Sequence, residues 1–145
     1  MSHNIDIENM ARRVHKNKIN QIVTKIKTKI RSLFGNIKAR SKKSNIEFDL
    51  TIEELFALMD TSYGSQCKYC DTILHYKNMV CDHIVPVVLG GPSTKTNMQF
   101  ICKSCNTRKG PLKEEEFIRL LQLINSFNEI SRNHLLKQLA KGGRF

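Results

Sequence analysis

The sequence predicts a small α+β fold, in which a zinc-stabilised core of short strands and one helix is flanked by further α-helices. Two Cys-x-x-Cys pairs stand in the middle of the chain, and the residues between them are rich in β-formers, glycine and asparagine. The segments on either side repeat apolar residues at helical spacing. This pattern divides the chain into a basic, largely helical arm at 1–45, the core at 46–112, and C-terminal helices with a tail at 113–145.

The arm carries most of the positive charge. The 145 residues have a net charge of +11, and residues 1–45 hold 12 Lys and Arg against Asp6 and Glu8, while the remainder is almost neutral. A basic segment beside a near-neutral body is typical of a protein that binds a polyanion, and nucleic acid is the commonest. An anionic membrane surface is the weaker alternative. The arm residues that we expect at nucleic acid are Arg12, Arg13, Lys25, Lys29, Lys42 and Lys43.

The composition also indicates the cellular compartment in which we expect the protein. No apolar run approaches the roughly 18 residues of a membrane span, and the first residues lack the apolar stretch of a secretory signal. The five cysteines are an odd number, which favours thiols or thiolates over disulfides. We therefore expect an intracellular, reducing compartment without membrane association, and the Lys/Ile/Asn-rich composition hints at a viral or organellar genome.

The arm is predicted to be helical because apolar residues recur with a helical period between residues 19 and 37. This stripe packs either against the core or against a second copy of the chain as a dimer helix, and the oligomeric state stays open. The segment "RSKKSN" at 40–45 is interpreted as a polar linker. The stripe consists of Ile19, Ile22, Val23, Ile26, Ile30, Leu33, Phe34 and Ile37.

Further helices are predicted on both sides of the cysteine region. Thr51 and Glu54 have the spacing of a capping box at the start of a short helix. A second helix follows residue 112, with Glu114–Glu116 near its N-terminal end, where the helix dipole favours acidic residues. A third covers about 130–140, before a glycine-containing tail.

The two cysteine pairs are "CKYC" at 67–70 and "CKSC" at 102–105, and they predict one structural zinc site. Their four sulfurs, from Cys67, Cys70, Cys102 and Cys105, can complete a tetrahedron around Zn²⁺. A closed four-cysteine site leaves no open coordination position, so this zinc holds the fold and does no chemistry. Cys81, the fifth cysteine, is expected to be a small buried residue.

The insert between the pairs is predicted to form a β-hairpin, a loop and a helix. The segments "TIL" and "NMVCDHIV" have the composition of two strands that turn around "HYKN", and Pro86 would end the second. Gly90, Gly91 and Pro92 force a loop, and "CNTRKG" begins a helix that Gly110 and Pro111 terminate.

The insert also contains groups suited to phosphodiester hydrolysis. Asp82 and His83 are neighbours on a strand, so their side chains point to opposite faces unless the strand bends. Asp82 offers a hard oxygen ligand for Mg²⁺, and Asn106 could supply a second oxygen. His83 has the ordinary pKa of a general base. By themselves these residues are equally compatible with a hydrogen-bonded structural pair.

The segments "CKYC" and "CDHIVPVVLGGPSTKTNMQFICKSCNTRKG" resemble the HNH endonuclease family of the His-Me finger (ββα-metal) superfamily, in its four-cysteine zinc variant. The resemblance covers roughly residues 49–111. It implies that Asp82 and Asn106 bind a catalytic divalent ion, that His83 activates water, and that Asn97 orients His83 through hydrogen bonds to the loop backbone. The four cysteines would hold the zinc.

Lys109 matches a basic residue that is common after the second cysteine pair, so the resemblance places it near substrate phosphate. Arg108 is a further residue that we expect at nucleic acid. One position departs from the family pattern, because Asn106 stands where the motif often has histidine. Asp and Asn together favour Mg²⁺ or Mn²⁺ as the catalytic ion.

The sequence therefore predicts a metal-dependent endonuclease acting on DNA, with double-stranded DNA as the expected partner and zinc and Mg²⁺ or Mn²⁺ as cofactors. The main alternative is a catalytically silent, zinc-containing nucleic-acid-binding module. A protein-interaction component that uses residues 19–37 and an enzyme acting on RNA also remain open.

Overall fold

A computed structural model of the chain describes the backbone of residues 2–141 and the side chains of residues 18–141. The described residues form five α-helices and four short strands. The helices are α1 (Ser2–Ser44), α2 (Ile52–Ser62), α3 (Lys103–Lys109), α4 (Glu114–Asn125) and α5 (Glu129–Ala140). The strands are β1 (Phe48–Asp49), β2 (Met79–His83), β3 (Ser93–Thr94) and β4 (Met98–Cys102). This mixed content confirms the predicted α+β class.

Helix α1 packs the later part of its apolar stripe onto the core of the same chain. Ile30 and Ile37 are buried, and Phe34 meets the ring of Phe48 edge-on at a centroid distance of 5.6 Å. The stripe is thus used within the chain from Ile26 onward. Ile22 and its neighbour Val23 remain exposed. Because the later part of the stripe packs within the chain, the whole stripe cannot form a dimer contact.

The prediction of a polar linker at residues 40–45 is wrong, because α1 continues to Ser44. Ser41 is only 1% exposed and hydrogen-bonds to Ser93, so one face of this polar turn is docked onto the core. The helix ends at Asn45, which has a left-handed φ of 53°. Arg12 and Arg13 lie on α1, but their side chains are outside the described residues.

Helix α2 begins with the predicted capping box. The Thr51 hydroxyl accepts a hydrogen bond from the backbone N–H of Glu54, and the Glu54 carboxylate accepts one from the backbone N–H of Thr51. Leu55 and Met59 on the inner face of the helix are buried. These contacts confirm the helix and the residue at which it starts.

The central sheet is an antiparallel pair of β2 and β4, in which Met79 pairs with Cys102 and His83 pairs with Met98. The prediction that "TIL" forms the first strand of this hairpin is wrong. Ile73 makes only an isolated bridge to Gln66, which closes the loop around the first cysteine pair. The partner strand is the apolar "MQFIC", whose five residues are all buried. A second small sheet pairs β1 with β3 in parallel.

Three helices complete the described chain, as predicted. Helix α3 follows β4 directly and ends before Gly110, and α4 begins with acidic residues in its first turn. Helix α5 packs against α3, where the Arg108 side chain donates a hydrogen bond to the carbonyl of Leu136 at 2.8 Å. Within residues 2–141, no helix combines the length and the apolarity that crossing a membrane requires.

Candidate active site

The four paired cysteines converge into one cluster. Cys67 and Cys70 come from the loop before β2, whereas Cys102 ends β4 and Cys105 lies in the first turn of α3. Their sulfur atoms all lie within 4.8 Å of one another, and the Sγ atoms of Cys70 and Cys102 are 3.6 Å apart. Four sulfurs at about 2.3 Å from a tetrahedral zinc ion are separated by about 3.8 Å. The cluster therefore fits Zn²⁺.

Hydrogen bonds and burial shift the pKa values of the cluster thiols in different directions. The backbone N–H of Cys102 points at the Cys67 sulfur at 3.5 Å, and that of Cys105 points at the Cys102 sulfur at 3.4 Å. The hydrogen bond from the Cys105 side chain, helped by backbone donors, lowers the pKa of the Cys67 thiol to about 4. Burial raises the pKa of the Cys102 thiol, and the hydrogen bond to Cys67, together with burial, raises that of Cys105. Negative charge is therefore concentrated on the Cys67 sulfur.

Cys81 does not join the cluster. It lies half-buried on β2 and packs against the apolar core. Burial, together with the neighbouring charge of Asp82, raises the pKa of its thiol to about 12. Its structural role is therefore that of a small packing residue, as predicted.

Three of the predicted site residues, Asp82, His83 and Asn106, line one open cleft of about 820 Å³, whereas Asn97 lies outside its lining. Asp82 and His83 lie at the end of β2, and Asn106 comes from α3 one residue after a cluster cysteine. The last turns of α1 form another part of the wall and contribute Arg40 and Lys43. The cleft therefore combines a carboxylate, an imidazole and an amide with two cationic side chains.

One oxygen of the Asp82 carboxylate is held by a chain of hydrogen bonds. Oδ2 accepts from Gln99 Nε2 at 3.1 Å and pairs with the Lys109 ammonium at 3.0 Å. The same Gln99 amide donates to the Tyr69 hydroxyl, which donates to Glu114 Oε1, each at 3.0 Å. Oδ1 makes no hydrogen bond to any side chain or backbone group in the described part of the chain. This oxygen is free to serve as a metal ligand.

Asp82 and Asn106 together match the oxygen donors that Mg²⁺ or Mn²⁺ takes from a protein. Such ions typically use one or two protein oxygens and keep several waters. The Asp82 side chain is 12% exposed and the cleft is open to solvent, so waters can complete the coordination. The residues present therefore fit a hard divalent ion.

The structure buries the Lys109 side chain beneath the site. The resemblance implied a position near phosphate, but the ammonium group is fully buried, where it pairs with Asp82 and donates to the His83 carbonyl at 3.1 Å. A buried lysine requires such partners because an unpaired charge is costly to desolvate. Lys109 thus braces the site from inside.

The other side chains predicted to contact nucleic acid fall into two groups. Some make contacts within the chain, and others are exposed. Arg108 is half-buried between Leu136 and the Cys105 sulfur, so it ties α5 to the cysteine cluster. Lys29 donates to the carbonyls of Tyr76 and Met79, an arrangement that fixes α1 to the loop before β2. Both side chains are therefore engaged in contacts within the chain. Those of Lys25, Lys42 and Lys43 are exposed.

His83 is held by a chain of hydroxyl groups. It is 6% exposed, and its Nε2 lies 2.8 Å from Ser93 Oγ. Ser93 Oγ lies 2.7 Å from Ser41 Oγ, which donates to the carbonyl of Ile37 on α1 at 2.7 Å. Burial lowers the pKa of the imidazole, and the charges of Arg40 and Lys109 add to this, while Asp82 opposes them. The neutral, proton-accepting form is favoured.

Asn97 braces the loop that follows β2. Its side chain accepts from the Val85 N–H at 2.9 Å and donates to the carbonyls of Val85 and Pro92. Gly91 allows the loop to close, since a Cβ there would overlap the Val85 carbonyl. These are the backbone hydrogen bonds that the resemblance implied, and they fix the chain beside His83.

Sequence reasoning missed several residues of this site. Arg40 fell in the segment interpreted as a linker, although its cationic side chain was the available signal. Ser41, Ser93 and Gln99 carry no motif, because their positions at the site arise from contacts that span 10 to 52 residues of sequence. Only the fold brings them to Asp82 and His83.

A comparison with known families matches residues 67–112 to the HNH endonuclease family. The match begins at the first cluster cysteine and includes Asp82, His83, Asn97 and Asn106. It confirms the resemblance over this segment and associates it with nuclease-type or nucleic-acid-binding function. No curated protein is significantly similar in sequence to the chain.

Proposed function

We propose that this protein is a metal-dependent endonuclease that hydrolyses the phosphodiester bonds of DNA. The observation that carries the proposal is the cleft in which Asp82, His83 and Asn106 meet Arg40 and Lys43. It combines a proton acceptor, oxygen ligands and phosphate-binding cations within one solvent-open space. The HNH match over residues 67–112 supports the same chemistry.

In this proposal His83 is the general base. Its imidazole takes a proton from a water molecule, whose oxygen forms a bond to phosphorus as the bond to the leaving oxygen breaks. Asp82 and Asn106 would hold Mg²⁺ or Mn²⁺, which stabilises negative charge on the phosphate and the leaving oxygen when bound. The lowered pKa of His83 keeps the base unprotonated near neutral pH.

The cysteine cluster would hold a structural zinc ion. Cys102 and Cys105 join the end of β4 to the start of α3, so a metal bound there fixes the strand relative to Asn106. All four positions of a tetrahedral ion are taken by sulfur, which excludes direct chemistry at this site. The zinc would thus act through the position of Asn106.

We further propose that double-stranded DNA is the substrate. Arg40 and Lys43 reach the cleft from the last turns of α1, and the exposed Lys42 and Lys25 extend positive charge along the same helix. These residues would contact phosphates, which position a duplex without specifying its sequence. RNA presents the same phosphates, so substrate choice is an outcome of the experiment below.

A silent nucleic-acid-binding module is the second candidate, and the ion pair of Asp82 with Lys109 favours it. The buried ammonium already balances the charge of the carboxylate at 3.0 Å. A site neutralised in this way has a weaker electrostatic attraction for a divalent ion. In this alternative, α1 and the zinc core bind nucleic acid without cutting it.

The two candidates separate in one assay. Zinc-loaded protein is incubated with supercoiled plasmid, or with RNA of matched length, in the presence of Mg²⁺, Mn²⁺ or a chelator that spares the zinc. The endonuclease proposal predicts nicked and then linear plasmid only with the added ion, and no such products from His83→Ala. Retarded plasmid without conversion would sink the enzyme proposal in favour of the binding module.

A further inference from the structure

The hydroxyl groups behind His83 admit one arrangement of protons. A carbonyl oxygen only accepts, so the single hydroxyl proton of Ser41 is committed to Ile37. Ser93 must then be the donor in the hydrogen bond between the two serine hydroxyls. With its own proton used, Ser93 can only accept from His83 Nε2.

We propose that Ser93 and Ser41 are positioning residues that fix neutral His83 as the Nε2–H tautomer and leave Nδ1 as the atom that takes the proton from water. The inference rests on the proposed function for the catalytic meaning of Nδ1. The tautomer itself follows from the hydrogen-bond chain alone. A hydrogen bond at one ring nitrogen determines which nitrogen carries the proton.

The remaining ring nitrogen faces open space. Nδ1 makes no hydrogen bond within residues 18–141, and among these residues no buried side-chain nitrogen or oxygen lacks a partner. Nδ1 is therefore accessible to solvent, and His83 lines the cleft beside Asp82 and Asn106. A water molecule in the cleft can reach this nitrogen and cannot reach Nε2.

The two serines are themselves rigidly held. Ser93 is completely buried in β3, and its backbone N–H donates to the carbonyl of Glu47 at 2.8 Å. Ser41 is 1% exposed and is fixed by α1. Water cannot enter to offer either hydroxyl a competing partner, so the direction of the chain is retained.

The arrangement gives α1 a role in the active site beyond charge. The final acceptor of the chain is a carbonyl of α1, and the same helix presents Arg40 and Lys43 to the cleft. One rigid element therefore sets both the phosphate contacts and the orientation of the base. The cysteine and Asp-His motifs of the core do not by themselves reveal that the orientation of His83 depends on α1.

Nitrogen NMR tests the tautomer without reference to activity. Full-length, zinc-loaded protein with 15N-labelled histidine is measured at mildly alkaline pH, and the His83 signals are identified by their loss in His83→Gln. We expect Nε2 to have the shift of a protonated nitrogen and Nδ1 that of an unprotonated one. A protonated Nδ1 in the wild-type protein would overturn the proposal.

Two serine variants sharpen the test. In Ser41→Ala the Ser93 hydroxyl loses its acceptor and can turn to donate to Nε2, so the Nδ1–H tautomer should become populated. The Ile37 carbonyl keeps its helical hydrogen bond, so the fold is retained. Ser93→Ala should move both nitrogen signals towards averaged values. Ser32→Ala, an exposed serine on α1, is the matched control and should leave the spectrum unchanged.

Kinetics link the tautomer to cleavage. If the chain cuts DNA, we expect Ser41→Ala and Ser93→Ala to lower kcat about tenfold with little change in KM, whereas a purely structural role would leave the tautomer in place. An inactive wild-type protein with the expected tautomer would refute the proposed function alone. Serine variants with wild-type nitrogen signals would refute the positioning role alone.

Discussion

The Lys109 ammonium lies 3.0 Å from Asp82 Oδ2, and it also donates a hydrogen bond to the carbonyl of His83. One buried side chain on α3 is thus bonded to both residues of the Asp-His pair on β2. The lysine occupies Oδ2 and leaves Oδ1 towards the cleft. The geometry of the candidate metal ligand therefore depends on a buried cation.

Lys109→Met should destabilise the protein by about 3 kcal/mol, because removing one partner of a buried ion pair leaves the other uncompensated. Urea unfolding of the zinc-loaded variant measures the change in the free energy of unfolding. Lys103→Met, an exposed lysine on the same helix, is the control and should change it by less than about 0.5 kcal/mol. Equal losses in the two variants would show that the buried pair contributes nothing particular.

We expect about one zinc ion per chain, since a single closed site uses four thiolates. Elemental analysis of purified protein should give this ratio, and Cys105→Ala should lose both the zinc and cooperative unfolding. Cys81→Ala removes a cysteine outside the cluster and should retain the ion. Wild-type protein that folds cooperatively without bound metal would contradict the structural role of the cluster.

Arg40 and Lys43 should each contribute about one phosphate contact. Arg40→Gln and Lys43→Gln are expected to reduce the slope of log K against log salt for duplex binding by about one unit each. Lys38→Gln changes the same charge on α1 at an exposed position that does not line the cleft, so its slope should stay closer to wild type. Fluorescence anisotropy across a salt series measures all three slopes. Indistinguishable slopes would remove the cleft wall from the DNA interface.

His83 should titrate below its usual pKa of about 6.5, mainly because it is buried. The folded protein then binds this proton less readily than the unfolded chain, so lowering the pH through the range between the two pKa values should destabilise the fold. Arg40→Gln removes a positive charge and should raise the pKa, while Lys38→Gln should not. NMR titration of zinc-loaded protein without another divalent ion measures the shift, and a pKa above 6.5 would contradict the burial of the imidazole.

Local patterns predicted the parts of the structure that depend on local chemistry. The capping box at Thr51, the apolar period of α4 and the cysteine pairs need only neighbouring residues to specify them, and each is found as predicted. The "TIL" segment has strand-forming residues but makes only an isolated bridge. The segment "MQFIC" pairs with β2 instead, because all five of its residues are buried in the core.

The rest of the site depends on contacts between distant segments. "RSKKSN" is polar enough to suggest a linker, and only the docking of α1 shows that Ser41 faces inward while Arg40 faces the cleft. Lys109 was predicted at phosphate because the resemblance to the HNH family implied a basic residue there. Its burial follows from the packing of α3 against β2, which the sequence does not encode locally.

The central claim is that His83 is the base of a phosphodiester hydrolase. Its most direct test is the initial rate at which supercoiled plasmid is nicked in Mg²⁺ by wild-type protein, His83→Ala and His134→Ala, where His134 is an exposed histidine on α5. Loss of a general base typically costs about 10²- to 10⁴-fold in rate. We predict a loss of this size for His83→Ala and a wild-type rate for His134→Ala. Equal nicking by wild type and His83→Ala would contradict the account.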